Sequence, residues 1–345
     1  FHNAMLPSLV KEHKLGTWSG LSFAFGYIGT IVALLIVKQL FSTHTGSLSA
    51  LGLTSLDQER LVGPLMALWM WAFILPMFFL TPDRESRGVD FWVAVREGTG
   101  RLLTSVRRAG HYKNIWLYFI ARMIFYDGLL AVFVFSGVFA GGMFGWRTPQ
   151  LAVLGVVQFA AAALGAIAGG ALDDRIGSKR MLFVCVAGIA AATGGLLSIG
   201  PDRILFWPVS DFDGTGLIGN ALFSTLAEQA YVIAAGLSGF FTGPALASSR
   251  TMVARLAPRN LMTQFFGLYA LMGRATAFLA PLAIALVTAY SSSQRLGFGV
   301  VLVFMFVGLF VLLFVREERA EEYESPAETV DGMGDRQFAK SNQIN

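Results

Sequence analysis

The chain has 345 residues, of which 55 % are hydrophobic and only 14 % charged, with a mean hydropathy of +0.61. Soluble domains carry about 25 % charged residues, so this composition defines an integral membrane protein. The net charge of +4 does not argue for nucleic acid, because the bases cluster in loops, and the lone Cys185 rules out an internal disulfide or a cysteine-based metal cluster.

A spanning helix needs about 20 mostly apolar residues. The chain opens on Phe1 with no basic segment ahead of an apolar core, so no signal peptide is expected, and it reads as if entered partway. Spans are predicted at 17–40, 61–81, 114–140, 148–171, 180–200, 225–248, 262–289 and 296–315. This even number puts both ends on one side. One face collects Lys11, Lys14, Arg84, Arg87, Arg96, Arg101, Arg107, Arg108 and Lys113, then Arg175, Lys179, Arg180, Arg250, Arg255, Arg259, Arg316 and Arg319. The other has only Arg60, Arg147, Arg203 and Arg295. The basic face is expected to be cytoplasmic, with both termini.

Between the second and third spans, 82–113 is too charged to cross. Its apolar residues Val89, Trp92, Val95, Leu102, Leu103 and Val106 fall at roughly helical spacing among arginines. That suits a helix lying on the inner membrane surface; a disordered linker is the alternative. Residues 201–224 form an external loop, with Trp207 suited to the interface. The tail from Arg316 is expected to begin as a short helical extension and then become disordered. The pairs Gly137/Gly141, Gly165/Gly169 and Gly239/Gly243 are small-residue faces for close helix contact.

The run Gly170-Ala171-Leu172-Asp173-Asp174-Arg175-Ile176-Gly177-Ser178-Lys179-Arg180 carries the most information. A knot of charge between two spans must be a tight aqueous turn. Gly170, Leu172, Asp174, Arg175, Gly177, Lys179 and Arg180 resemble the signature loop of the major facilitator superfamily. A weak repeat supports this, since Gly20-Leu21 with Gly26-Tyr27 recurs as Gly267-Leu268 with Gly273-Arg274. On the superfamily's map the spans become helices five to twelve, a major-facilitator-like all-α bundle with eight of twelve spans. Residues 1–81 are then a remnant of the N-terminal half, 82–113 the central loop, 114–315 the C-terminal half and 316–345 the tail. The chain is expected to be N-terminally truncated, with 17–81 a separate helix pair beside a compact six-helix bundle.

A closer resemblance lies in Phe1–Pro7, Arg122–Gly128, Asp173–Arg180 and Phe265–Phe278. Together these are similar to the vacuole-effluxer-like branch related to autophagy-related protein 22. The resemblance implies a transporter whose fungal relatives export amino acids from the vacuole.

Charges inside a membrane are costly and default to functional candidates. Arg122 and Asp127 lie in the span from 114, and Arg274 in the span from 262. At about 1.5 Å per residue, Asp127 and Arg274 both sit near the midplane. They are expected to pair, either as a static ion pair or in a substrate or proton role. Tyr126 and Gln158 offer hydrogen bonds to a polar solute, Gly128 would loosen the helix beside Asp127, and Glu228 is expected to be solvated. In the signature loop, Asp173 and Asp174 with the following bases form a gating element that makes and breaks charge-assisted bonds between states.

No H-E-x-x-H, G-x-S-x-G or P-loop occurs, so an enzyme is not expected, nor a cofactor or metal. The expected partners are the lipid bilayer and a small solute, not nucleic acid, and the expected location is a bacterial inner membrane. The leading function is solute transport by alternating access. A truncated remnant or membrane scaffold is the competitor.

Overall fold

The computed structural model describes residues 2–41, 55–80, 112–208 and 222–318, and between them Trp92, Val93, Val95, Arg96, Gly98 and Gly100. Among the described residues, ten α-helices carry the architecture: α1 His2–Leu9, α2 Leu15–Phe41, α3 Ser55–Leu80, α4 Lys113–Phe144, α5 Thr148–Ile176, α6 Ser178–Ser198, α7 Leu226–Leu256, α8 Met262–Ala275, α9 Leu279–Ser291 and α10 Gln294–Leu313. Among the described residues, eight helical stretches are long and apolar enough to cross a membrane, with α8 and α9 together making one of them. The only paired strands described are β1 Arg203–Ile204 and β2 Trp207–Pro208, a small hairpin between α6 and α7.

Helix ends follow the sequence chemistry. Gly145, at φ 67°, closes α4 in the left-handed conformation that glycine tolerates best. Thr225 and Glu228 form a reciprocal capping box at the start of α7, and Trp146 Nε1 donates to Glu228 at 2.8 Å. Glu228 is therefore engaged at a helix start, not merely solvated.

Small residues decide the packing, since lipid provides no hydrophobic drive for helices to associate. Helix α5 lies between α2 and α7. Its Gly165 and Gly169 face α7, where an added Cβ would run into the Phe240 carbonyl or the Pro244 ring. One residue on, Ala166 and Gly170 face α2, and a Cβ on Gly170 would come 2.6 Å from the Gly16 carbonyl oxygen. From the other side, Gly239 and Gly243 of α7 meet the α5 backbone at Gln158 and Ala162. Two of the three expected glycine pairs thus make one interface. Gly137 and Gly141 have only ordinary contacts.

Four expectations change. Residues 17–81 are not a separate pair, because α2 packs extensively on α5 and α7 and touches α3 little. The signature run is not a loop: α5 stays helical to Ile176, and the chain reverses at Gly177 alone, at φ 90°. Helix α7 runs on to Leu256, so Arg250 and Arg255 belong to a spanning helix and not to a loop. Gly128 lies in an unbroken α4, where its missing side chain lets α10 close, with Phe304 Cβ 3.1 Å from where a Cβ would stand.

The expected surface helix falls mostly outside the described residues; Trp92, Val93, Val95 and Arg96 are helical and exposed. The tail beyond Glu318 also lies outside them. The residues directly after α10 are not helical.

Candidate functional site

The bundle end where α2 begins and α5, α7 and α10 finish carries a charge network. Asp174, in the last turn of α5, accepts from Gly16 N at 2.7 Å, Thr17 N at 2.8 Å and Thr17 Oγ1 at 2.6 Å. It thereby caps the start of α2. Glu317, just past α10, does the same for α6, accepting from Ser178 N at 2.8 Å and Lys179 N at 2.9 Å. Arg255 joins the two, lying 3.4 Å from Asp174, 2.8 Å from Glu317 and 3.3 Å from Asp173. Asp173 is fully buried and also accepts from Ser178 Oγ at 2.7 Å and Thr251 Oγ1 at 2.6 Å.

Three carboxylates thus face one guanidinium. The imbalance is offset by the two capped helix starts, each worth roughly half a positive charge. Lys179 Nζ lies on the terminal carbonyl of Leu313, where a cation suits a helix C-terminus. Arg175 and Arg180 point outward and are exposed. Gly170 and Gly177 give this corner its tight backbone.

Deeper in the bundle, Arg122 is buried. Its Nε donates to Ser249 Oγ at 2.9 Å and its Nη1 to the Tyr269 carbonyl at 3.1 Å. The guanidinium lies between the rings of Tyr269, 3.7 Å away, and Tyr126, 4.5 Å away. Desolvated cation–π contacts contribute about 2 kcal/mol each, which offsets much of the cost of the burial.

Asp127 and Arg274 do not form the expected ion pair. Asp127 is buried at 2 % exposure and its Oδ1 accepts from Thr276 Oγ1 at 3.3 Å, while its Oδ2 has no hydrogen-bond partner. Arg274 is exposed on α8. Equal depth in two helices fixes height but not azimuth, and the helix break after Ala275 brings Thr276 to Asp127 instead. Gln158 sits apart, donating to Ser136 Oγ at 3.1 Å between α5 and α4.

One functional-looking residue escaped the sequence reading. Arg250, which the charge pattern places among the loop bases, is buried in α7 and ties that helix to α1 and α2. Its guanidinium donates to Ser19 Oγ and the Ser19 carbonyl, both at 3.0 Å, to Ser22 Oγ, and to Asn3 Oδ1 at 3.3 Å, and it lies 4.9 Å from the Phe23 ring. Its own stretch Ser248-Ser249-Arg250-Thr251 carries no signal for this, because the groups that satisfy the guanidinium come from α1 and α2. A cavity of about 770 Å³ opens beside Arg250 and Ser22, walled by Trp18, Pro76 and Leu80.

A polytopic helical bundle with a capped, charged turn at this place is of the major facilitator class. A model of the family described as vacuole effluxer Atg22 like matches residues 11–324, and the chain belongs to that family. It is 21 % identical over 322 residues to the uncharacterized MFS-type transporter YxiO of Bacillus subtilis (strain 168), covering 93 % of this chain and 68 % of that protein. It is 23 % identical over 327 residues to autophagy-related protein 22 of Cryptococcus neoformans var. neoformans serotype D (strain JEC21), covering 91 % of this chain and 54 % of that one. The protein of the same name from Yarrowia lipolytica is 24 % identical over 340 residues, with 91 % and 52 % covered. The chain therefore spans about half the length of these fungal relatives.

Proposed function

We propose that this chain is a secondary solute transporter that works by alternating access, with amino-acid efflux as its activity. On this reading α1–α3 belong to the first half of the transporter and α4–α10 to the second. The charged end faces the cytoplasm of a bacterium, in keeping with the crowding of bases there.

The observation that carries the proposal is the cap of Asp174 on α2. It is a bond between the two halves, placed at one end of the bundle and made from charge-assisted hydrogen bonds. Such bonds hold a closed state strongly while made, and water replaces them readily once the end opens. The smooth glycine and alanine contact of α2 with α5 gives a surface along which helices can shift without interlocking side chains. Arg250 adds a second tie between the halves.

The solute would be held at mid-span beside Arg122, Tyr126 and Asp127 of α4, with the exposed Arg274 of α8 as a further candidate. A cation and an acid at one level suit a zwitterion. Gln158 is better assigned to packing.

The test is transport in proteoliposomes loaded with a mixture of radiolabelled neutral amino acids. Wild-type protein should release label faster than empty liposomes, and Asp174→Asn should insert normally but release it several-fold more slowly. Equal release from wild-type and empty liposomes would sink the amino-acid assignment; wild-type rates in the variant would sink the gating role.

A further inference from the structure

We propose that Asp127 is the residue that binds and releases the coupling proton, and that the break between α8 and α9 is the element this proton controls. The inference deepens the transporter reading above and rests on it.

Asp127 stands next to the midpoint of the 32-residue α4, whose length of about 48 Å at 1.5 Å per residue overshoots a hydrocarbon core about 30 Å thick at both ends. It is buried, one carboxyl oxygen meets Thr276 Oγ1 at 3.3 Å, and the other meets nothing. Among the described residues, no cation lies within ion-pair distance of it. The nearest, Arg122 on its own helix, spends its Nε on Ser249 and its Nη1 on the Tyr269 carbonyl. Tyr126 is the other titratable neighbour on α4. Arg274 of α8 is exposed. Beside Gly128, the nearest atoms of α10 belong to Phe304, Met305 and Val301.

A carboxylate in that setting lacks both a counter-ion and a donor for its second oxygen, which is the costly case for a buried charge. A proton supplies what is missing. The carboxylate takes up one proton, becomes neutral, and gains an O–H that can be donated in turn. A metal cation would need several more oxygen ligands than Asp127 and Thr276 offer.

The spanning stretch 262–291 stops as a helix at Ala275 and resumes at Leu279. Thr276, the residue that touches Asp127, lies in that gap. The Arg274 and Thr276 carbonyls of this break accept from Ala277 N and Leu279 N, so the acceptor within reach of a carboxyl O–H is the Thr276 hydroxyl, 3.3 Å from Asp127 Oδ1. Discontinuous spanning helices place ions and substrates at mid-membrane in other transporters. Protonated, Asp127 can bridge to the break and hold α8–α9 against α4. Deprotonated, it needs water or Arg122, which favours opening of that contact. One proton taken up on one side and released on the other would accompany each conformational cycle.

The experiment is infrared difference spectroscopy of the full chain in liposomes, stepped between acid and alkaline pH in H2O and D2O. Wild-type protein should show a carboxyl C=O band that appears on acidification and shifts in D2O. Asp127→Asn should abolish it, Asp127→Glu should keep it at a shifted frequency, and Asp173→Asn should leave it in place. The glutamate variant guards against a fold defect in the asparagine one. A band that persists unchanged in Asp127→Asn, or a wild-type spectrum with no such band, would overturn the proposal. So would a band that responds to added NaCl at fixed pH and not to pH itself, which would mark a sodium site. Wild-type protein that moves no amino acid, yet shows a band that Asp127→Asn removes, would sink the substrate assignment and support the proton site.

Discussion

Asp174 holds both the backbone N–H and the hydroxyl of Thr17, at 2.8 and 2.6 Å, across 157 residues of sequence. A charged side chain from the last turn of α5 therefore serves as the N-cap of α2. Capping interactions of this kind contribute about 0.5–2 kcal/mol, and a loss of 1–2 kcal/mol changes a two-state ratio by roughly 5–30-fold.

Asp174→Asn should accordingly leave the fold intact but loosen the contact of α2 with α5. Ala24, buried against Ala163 and Ala166, offers a reporter. With Cys185→Ala as background and Ala24→Cys as the probe, labelling by a water-soluble maleimide should quicken by roughly 5–30-fold in the Asp174→Asn protein. An unchanged rate would mean that the cap does not govern this interface.

Arg255, in the last turn of α7, and Arg259, just beyond its end, make a contrast. Arg255→Gln removes the cation that pairs with the buried Asp173 and frees Glu317, and breaking a buried charge pair from one side costs about 3–5 kcal/mol. A large fall in thermal unfolding temperature in detergent is expected. Arg259 pairs with Glu12 at the surface, where an ion pair contributes little, so Arg259→Ala should unfold with the wild type.

Two glycines of α5 should respond in opposite directions to the same change. A Cβ on Gly165 runs into the Phe240 carbonyl, and overpacking of a fitted contact costs about 1–3 kcal/mol. Gly155 has nothing within 4 Å of its would-be Cβ, so Gly155→Ala gains helix propensity, about 1 kcal/mol in a helix interior. Thermal unfolding of the two alanine variants should separate them to either side of the wild type.

Arg250→Lys keeps the charge but not the fork that reaches Ser19, Ser22 and Asn3 together. It should weaken the tie between α7 and α2 nearly as much as Arg250→Gln. If lysine restored wild-type stability, charge alone would be the requirement and the geometry incidental.

How far these features were legible varies with the kind of signal. The spans were, because a stretch of some 20 apolar residues has few other uses, and so was the place of the charged turn between 148–171 and 180–200. The depth of Arg250 was not. A hydropathy pattern ends a span at the first arginine, whereas Ser19, Ser22 and Asn3 make that arginine affordable, and they come from other helices. The cap of Asp174 on Thr17 was hidden for the same reason, since nothing local links residue 174 to residue 17. Sequence position fixes the depth of Asp127 and Arg274 but not the rotation of their helices, and the two do not pair. Only the break at Thr276 decides who meets Asp127, and Arg274-Ala275-Thr276-Ala277 contains no proline or glycine to announce it.

The measurement that bears most directly on the account is the distance between spin labels at Trp18 on α2 and Leu172 on α5, both exposed beside the cap, read by pulsed electron paramagnetic resonance in lipid nanodiscs. The protein should show a short-distance population that dominates in the wild type, and a longer one that grows at its expense in Asp174→Asn. A single distance distribution, identical in the wild type and the variant under every condition of pH and amino-acid content, would contradict a gate at this end of the bundle.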